Sequence, residues 1–247
     1  MSLLEHERVL ITGGAGSIGT AVVKGLAQEG AELAILDRDE KAAVKLAKEI
    51  KATFGVKAKG YYFDVADLSS HHEITEEVER EFGTITILIN CAGITSTTNY
   101  EEMTPDEYDH LMDINLRGPF FFTREIFLRM KARGKGRIIN FGSISGERGG
   151  KYSGPHYSLS KAGMICFTKM LAKWAEDTGV TVNTVSPGLI QSRMSEQVGN
   201  KVYNYDVPMN RMGTPEEVAG AVLFLSSRLS DYVTGQNISV NGGQSMR

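Results

Sequence analysis

The sequence predicts a doubly wound α/β fold, a mostly parallel sheet of seven strands with helices on both faces. Three observations lead there. Short apolar runs alternate along the chain with longer segments whose apolar residues recur every three or four positions. The runs are apolar at consecutive positions, as strands buried on both faces must be. A glycine-rich segment, Thr12-Gly13-Gly14-Ala15-Gly16-Ser17-Ile18-Gly19, joins the first run to the first helical segment.

Arg8–Thr12 is β-branched and apolar and ends in glycine, so it reads as a strand. Ile18, Val22 and Leu26 then share one helical face as far as Gly30. A second buried strand, Leu33–Leu36, ends at Asp37, and Asp39–Phe54 is rich in the Ala, Lys and Glu that favour helix. The alternation continues with a strand at Ala58–Phe63, a helix at Ser69–Phe82, a strand at Ile85–Asn90, one long helix at Pro105–Arg133 and a strand at Arg137–Phe141. A helix at Tyr157–Asp177, a strand at Val180–Val185, a polar segment from Gln191 to Arg211, a helix at Pro215–Ser226 and a strand at Asn237–Val240 complete the series. No linker or repeat divides it, so residues 1–247 are expected to form one domain.

Composition narrows the function. With 41 % hydrophobic and 23 % charged residues and a net charge of -3, the chain is an ordinary globular one without a basic stripe. That argues against a nucleic-acid or anionic-membrane surface. The first eight residues are polar and charged, and no uninterrupted apolar stretch of about 18 residues occurs, so a cytoplasmic protein is expected. Cys91 and Cys166 lie far apart in apolar segments and read as two buried thiols. His71 and His72 are adjacent, a poor arrangement for shared ligation, and no metal site is expected.

Chemistry concentrates in two places. A glycine-rich turn between a strand and a helix lets backbone approach a pyrophosphate at the helix N-terminus, and an acidic residue at the end of the next strand, Asp37, completes a dinucleotide-binding signature of the Rossmann type. Tyr157 and Lys161, four residues apart, share a helix face. An ammonium beside a phenol stabilises the phenolate, so the pair suits proton exchange with an alcohol or ketone. Upstream, the apolar run ending at Phe141 delivers Ser143 as a strand-end hydroxyl; Ser145 is a second candidate.

Together these residues resemble the short-chain dehydrogenase/reductase family over the whole chain. The pieces are the glycine-rich turn, Asp64-Val65, Asn90-Cys91-Ala92-Gly93, Asn115, Ser143, Tyr157 with Lys161, Pro187-Gly188, Val233-Thr234-Gly235-Gln236 and Asn241-Gly242-Gly243. Two positions depart from the pattern of the family's shorter, oxidoreductase branch: Ser17 stands where Gly is usual and Cys91 where a second Asn is frequent. The Gly13, Gly16, Gly19 spacing is closer to the extended branch, but the Asn-x-Ala-Gly element places the chain with the shorter one.

The resemblance implies that Tyr157 is the general acid/base, that Lys161 lowers its pKa and holds the nicotinamide ribose, and that Ser143 polarises the substrate oxygen. Asn115 would hold a water linking Lys161 to solvent. Gly13, Gly16, Ser17, Ile18 and Gly19 would cradle the phosphates, Asp37 and Arg38 would meet the adenosine ribose, and Asp64 and Val65 would border the adenine. Asn90, Ala92 and Gly93 would line the adenosine ribose side; Pro187, Gly188, Ile190 and Ser192 would meet the nicotinamide amide.

Asp37 favours NAD over NADP, because a 2′-phosphate would face a carboxylate; Arg38 argues the other way, although Gly14, Ala15 and Ser17 add no second basic group to the turn. The reaction expected is hydride transfer between nicotinamide and a secondary alcohol or ketone, with Ile144–Gly154 and Leu189–Asp206 setting specificity through Arg148, Arg193, Lys201, Tyr203 and Tyr205. A sugar, polyol or hydroxy acid is the substrate expected. A 3-oxoacyl-carrier-protein reductase is the alternative, opposed by Glu176 and Asp177 and favoured by Arg129, Lys131 and Arg133. A non-enzymatic NAD-binding redox sensor would need the turn but not Asn115, Ser143, Tyr157 and Lys161 together. The helices holding Asn115 and Tyr157 carry more apolar surface than one core needs, and the resemblance implies a homotetramer.

Overall fold

The computed structural model describes residues 2–150, 153–198 and 207–246. Its strands are β1 (Arg8–Thr12), β2 (Glu32–Asp37), β3 (Ala58–Tyr62), β4 (Ile87–Asn90), β5 (Gly136–Phe141), β6 (Val180–Pro187) and β7 (Asn237–Val240). They form one parallel sheet in the order β3-β2-β1-β4-β5-β6-β7. The chain winds outward from β1 to β3 and then returns to set β4 on the other side of β1. Such a reversal opens a crevice beyond the carboxyl ends of the two central strands, here at the paired residues Thr12 and Asn90.

Successive side chains of a strand point to opposite faces, so consecutive apolar residues build two cores. Val9, Ile11, Leu33 and Ile35 pack with α1 (Ser17–Gln28), α2 (Glu40–Phe54) and α9 (Pro215–Ser226). Leu10, Ala34, Leu36 and Leu88 pack on the other face with α3 (His71–Phe82), α5 (Gly118–Arg133) and α7 (Pro155–Trp174). The helix ends follow local chemistry. Asp39 accepts the Ala42 N–H at the start of α2, and Thr214 and Glu217 satisfy each other's backbone N–H at the start of α9.

Four expectations need correction. The long helix is broken: α4 (Pro105–Met112) passes into a wider turn, Asp113–Arg117, in which the Gly118 N–H bonds the carbonyl of Asp113 five residues back, before α5 begins. Pro119 explains the break, since it has no N–H for the carbonyl four residues earlier, that of Asn115. The segments read as irregular each contain a short helix, α6 (Ile144–Arg148) and α8 (Arg193–Val198), too short to show periodicity. The helix read as Tyr157–Asp177 runs from Pro155 to Trp174, its start set by Pro in the first turn. Finally, Cys166 is exposed, on the outer side of α7, and is not the buried thiol expected.

Candidate active site

The crevice is a cleft of about 990 Å³ lined by the turn after β1, the ends of β4, β5 and β6, and the start of α7. Its floor requires glycine. A Cβ at Gly13, whose φ is +65°, would fall 2.7 Å from the Ala92 Cα, and one at Gly19 would fall 2.2 Å from the Gly13 carbonyl oxygen. Gly13, Gly16, Ser17, Ile18 and Gly19 all line the cleft, as do Asp37, Arg38, Asp64, Val65, Ala92, Gly93, Pro187, Gly188, Ile190 and Ser192. The Asp37 carboxylate already accepts two backbone bonds, from Ala15 N–H at 2.9 Å and Asp39 N–H at 3.0 Å, which fix it beside the turn. Asp64 accepts from the Ala66 N–H in its own turn, while Asp67 caps the short 3-10 helix that follows.

Asn90 departs from expectation. It does not line the cleft; its side chain turns under the sheet, where its Nδ2 donates to Thr123 Oγ1 at 2.7 Å and Asn140 Oδ1 at 2.8 Å. Asn140 donates in turn to Thr168 Oγ1, which also accepts from Thr184. This buried row ties β4, β5 and β6 to α5 and α7. Cys91 lines the cleft instead, and burial pushes its thiol up to about 12.

Tyr157, Ser143 and Lys161 meet on the opposite wall. Ser143 caps α6, accepting the Ser145 N–H at 3.1 Å, and its hydroxyl favours the ionised form of the Tyr157 phenol. Ser145 lines the cleft as well, but its hydroxyl is turned to Ser153. Lys161 does not reach the phenol oxygen. Its Nζ donates to the Phe141 carbonyl at the end of β5, 3.1 Å away, and sits 5.9 Å from the centre of the Tyr157 ring. Burial therefore dominates both groups: it raises the phenol above its ordinary value, only partly opposed by Ser143, and lowers the ammonium to about 8.

Asn115 supports this wall without lining the cleft. Its Oδ1 accepts the Ile94 N–H and its Nδ2 donates to the Ile94 carbonyl, both at 2.8 Å, and Nδ2 also reaches Ser160 Oγ at 3.3 Å. Ser160 then donates to the Tyr157 carbonyl. The wide turn thus pins the segment after β4 to α7. A Cβ at Gly93 would come 3.2 Å from Asn115 Oδ1 and 3.4 Å from Lys161 Nζ, so a side chain there would crowd both groups.

Of the specificity residues, Arg148 and Arg193 line the cleft, whereas Lys201, Tyr203 and Tyr205 lie outside the described residues. Sequence reasoning missed Gln244, which lines the cleft 96 residues from Arg148, whose guanidinium donates to its carbonyl. Two glycines with positive φ, Gly242 and Gly243, turn the chain back there. They signal a turn, but nothing local says where it leads.

A nicotinamide dinucleotide fits these residues. The glycine cradle, the carboxylate at the end of β2 and a long cleft at the strand reversal are what such a group requires. Among the described residues no group of His, Cys, Asp and Glu could hold a metal ion, and no helix is long and apolar enough to cross a membrane.

Known proteins agree with this geometry. A family model described as Enoyl-(Acyl carrier protein) reductase matches residues 13–245. Acetoacetyl-CoA reductase of Allochromatium vinosum is 38% identical over 238 residues, covering 95% of this chain and 96% of that protein. The 3-oxoacyl-(acyl-carrier-protein) reductase FabG of Aquifex aeolicus is 38% identical over 244 residues, covering 97% and 98%. A crystal structure of a short-chain type dehydrogenase/reductase from Mycobacterium marinum superposes with a TM-score of 0.94 at 32% identity, covering 99% and 97% of the two chains. The turn after β1, the Tyr157 wall and this likeness along nearly the whole sequence have one reading: the chain belongs to the short-chain dehydrogenase/reductase family, oxidoreductases that use a nicotinamide cofactor on ketone or hydroxyl groups.

Proposed function

We propose that this enzyme interconverts a 3-oxoacyl thioester and its 3-hydroxyacyl form with NAD(H), on coenzyme A rather than on a carrier protein. The single observation that carries the choice is the charge around the cleft. Its substrate side holds Arg148, bonded to the carbonyl of Gln244, and the acidic residues lining the cleft, Asp37 and Asp64, both lie on the cofactor side. A guanidinium at the rim with no carboxylate partner among the described residues suits the phosphates of a nucleotide thioester. The sugar, polyol or hydroxy acid expected from sequence has no support among the relatives named above, whose own names describe 3-oxoacyl reduction. Docking an acidic carrier would call on Arg129 and Arg133, but Arg129 is bonded to Glu76, Glu79 and Glu125, and Arg133 to Glu79.

A nicotinamide bound in the cleft supplies or accepts the hydride at the 3-carbon. Tyr157, kept protonated near neutral pH by burial, gives its phenolic proton to the ketone oxygen during reduction and takes it back during oxidation. Ser143 donates a hydrogen bond to the same oxygen and Lys161 holds the nicotinamide ribose. Asn115, Asp37 and the glycine turn hold the remaining parts in place. The setting proposed is cytoplasmic, with no nucleic-acid or membrane partner, and the assembly a homotetramer.

The test follows nicotinamide absorbance with acetoacetyl-CoA, a 3-oxoacyl carrier protein and a panel of polyols. Acetoacetyl-CoA should give the highest kcat/KM; a polyol preferred over both thioesters would refute the substrate assignment. Tyr157→Phe should lower turnover by at least ~10²-fold with little change in cofactor binding, the usual size of a general acid/base contribution.

A further inference from the structure

Ser17 stands where relatives of the shorter branch usually carry glycine, and the structure gives its hydroxyl a partner. Ser17 opens α1, yet its side chain does not cap that helix; Gly16 is the capping residue and makes no side-chain bond. The Ser17 Oγ instead accepts the backbone N–H of Arg193, 3.3 Å away and 176 residues along the chain. The Arg193 guanidinium donates to the carbonyl of Ala15, also at 3.3 Å, while the Ala15 N–H is held by Asp37. The turn that seemed in the sequence to lack a second basic group therefore has one, supplied by α8.

A guanidinium beside the positive end of a helix needs an anion to be favourable. Six arginines form ion pairs with carboxylates, but Arg38, Arg148 and Arg193, the three that line the cleft, form none among the described residues. Of these, Arg148 is bonded to the carbonyl of Gln244, on the substrate side. Arg193 is the one bonded to the turn.

We propose that Arg193 binds the pyrophosphate of the dinucleotide and that Ser17 is the residue that positions it. The inference rests on the nicotinamide reading of the cleft. It makes Ser17 a functional replacement, exchanging the closer backbone approach of glycine for a fixed cation from across the sheet.

Calorimetric titration of the full chain separates the possibilities. ADP-ribose carries the pyrophosphate without nicotinamide, and AMP carries neither. Arg193→Met should raise the Kd for ADP-ribose and NADH by about 10-fold or more, the scale of a charge-assisted bond, and leave AMP within about twofold. Arg193→Lys should recover part of the loss. Ser17→Gly should weaken ADP-ribose binding less than Arg193→Met and add little to it in the double variant. An unchanged ADP-ribose Kd in Arg193→Met would overturn the proposal while leaving the cofactor reading intact. So would a loss confined to NADPH, which would assign Arg193 to the 2′-phosphate. Failure of the unmodified protein to bind NADH or NADPH would sink both the cofactor reading and the clamp.

Discussion

At the scale of single residues, the site is governed by who else is bonded to each side chain. Asp37 is held by two backbone N–H groups, so its carboxylate faces the cleft in a fixed place. If it reads the adenosine ribose, kcat/KM should favour NAD over NADP by at least ~100-fold, about 2.7 kcal/mol. Asp37→Ala should shrink that ratio chiefly by admitting NADP; comparable values in the unmodified enzyme would hand the decision to Arg38. Lys161 allows a second measurement. Its folded pKa, about 8, lies below the ordinary 10.5, so the unfolded chain binds its proton more tightly. Stability should therefore rise with pH between about 8 and 9, above which the buried Cys91 thiol, raised to about 12, and then Tyr157 act in the opposite sense. At pH 7 the buried ammonium opposes folding by up to about 3 kcal/mol. Lys161→Met should be more stable at pH 7 by ~1 to 3 kcal/mol in urea titration, flat over that pH interval, and inactive.

At the scale of elements, the wide turn between α4 and α5 places Asn115, and Gly118 makes it possible. A Cβ at Gly118 would fall 2.2 Å from the Val65 carbonyl oxygen, against backbone that cannot yield. Gly118→Ala should cost ~2 to 3 kcal/mol and lower Tm by several degrees, as overpacking does. Gly25, inside α1, is the contrast, since a Cβ there meets nothing closer than Ala219 Cβ at 3.9 Å. Gly25→Ala should stabilise by ~0.5 to 1 kcal/mol. Calorimetric melting of the two variants checks both signs. Pro119 and Gly118 stand plainly in the sequence, yet periodicity ran straight through them. The apolar residues on either side keep helical spacing, and one extra residue in a turn changes that spacing too little to notice.

At the scale of the whole molecule, α5 and α7 leave an apolar groove facing outward, lined by Met112, Leu116, Phe120, Phe121, Cys166, Phe167 and Met170. Phe121, Leu128 and Trp174 are exposed on the same two helices. Exposed apolar surface of this kind is a mark of an interface, and a second copy of the chain is the occupant we propose. Light scattering at micromolar concentration should give a mass above the monomer, and Phe121→Glu should reduce it without unfolding the protein, since that ring is already 41% exposed. A monomeric mass for the unmodified chain would refute the assembly.

What the sequence determined by itself is whatever depends on neighbours within a few residues. The alternation of apolar runs and helical faces set the fold class, the glycines before α1 marked the turn that floors the cleft, and Tyr157 with Lys161 pointed to the proton chemistry we propose. Tertiary structure decided the rest. Asn90 and Asn140 share a register across β4 and β5, and only that pairing turns Asn90 away from the cleft and into the sheet. Lys161 bonds Phe141 because β5 ends beneath it, and burial then raises the phenol that local spacing alone would have lowered. Cys166 is exposed because of which side of α7 faces the sheet. Arg193 reaches the turn from 176 residues away. Spacing records which side chains share a face; the partners and the solvent that face meets, which set each group's charge and hydrogen bonds, come from segments remote in the chain.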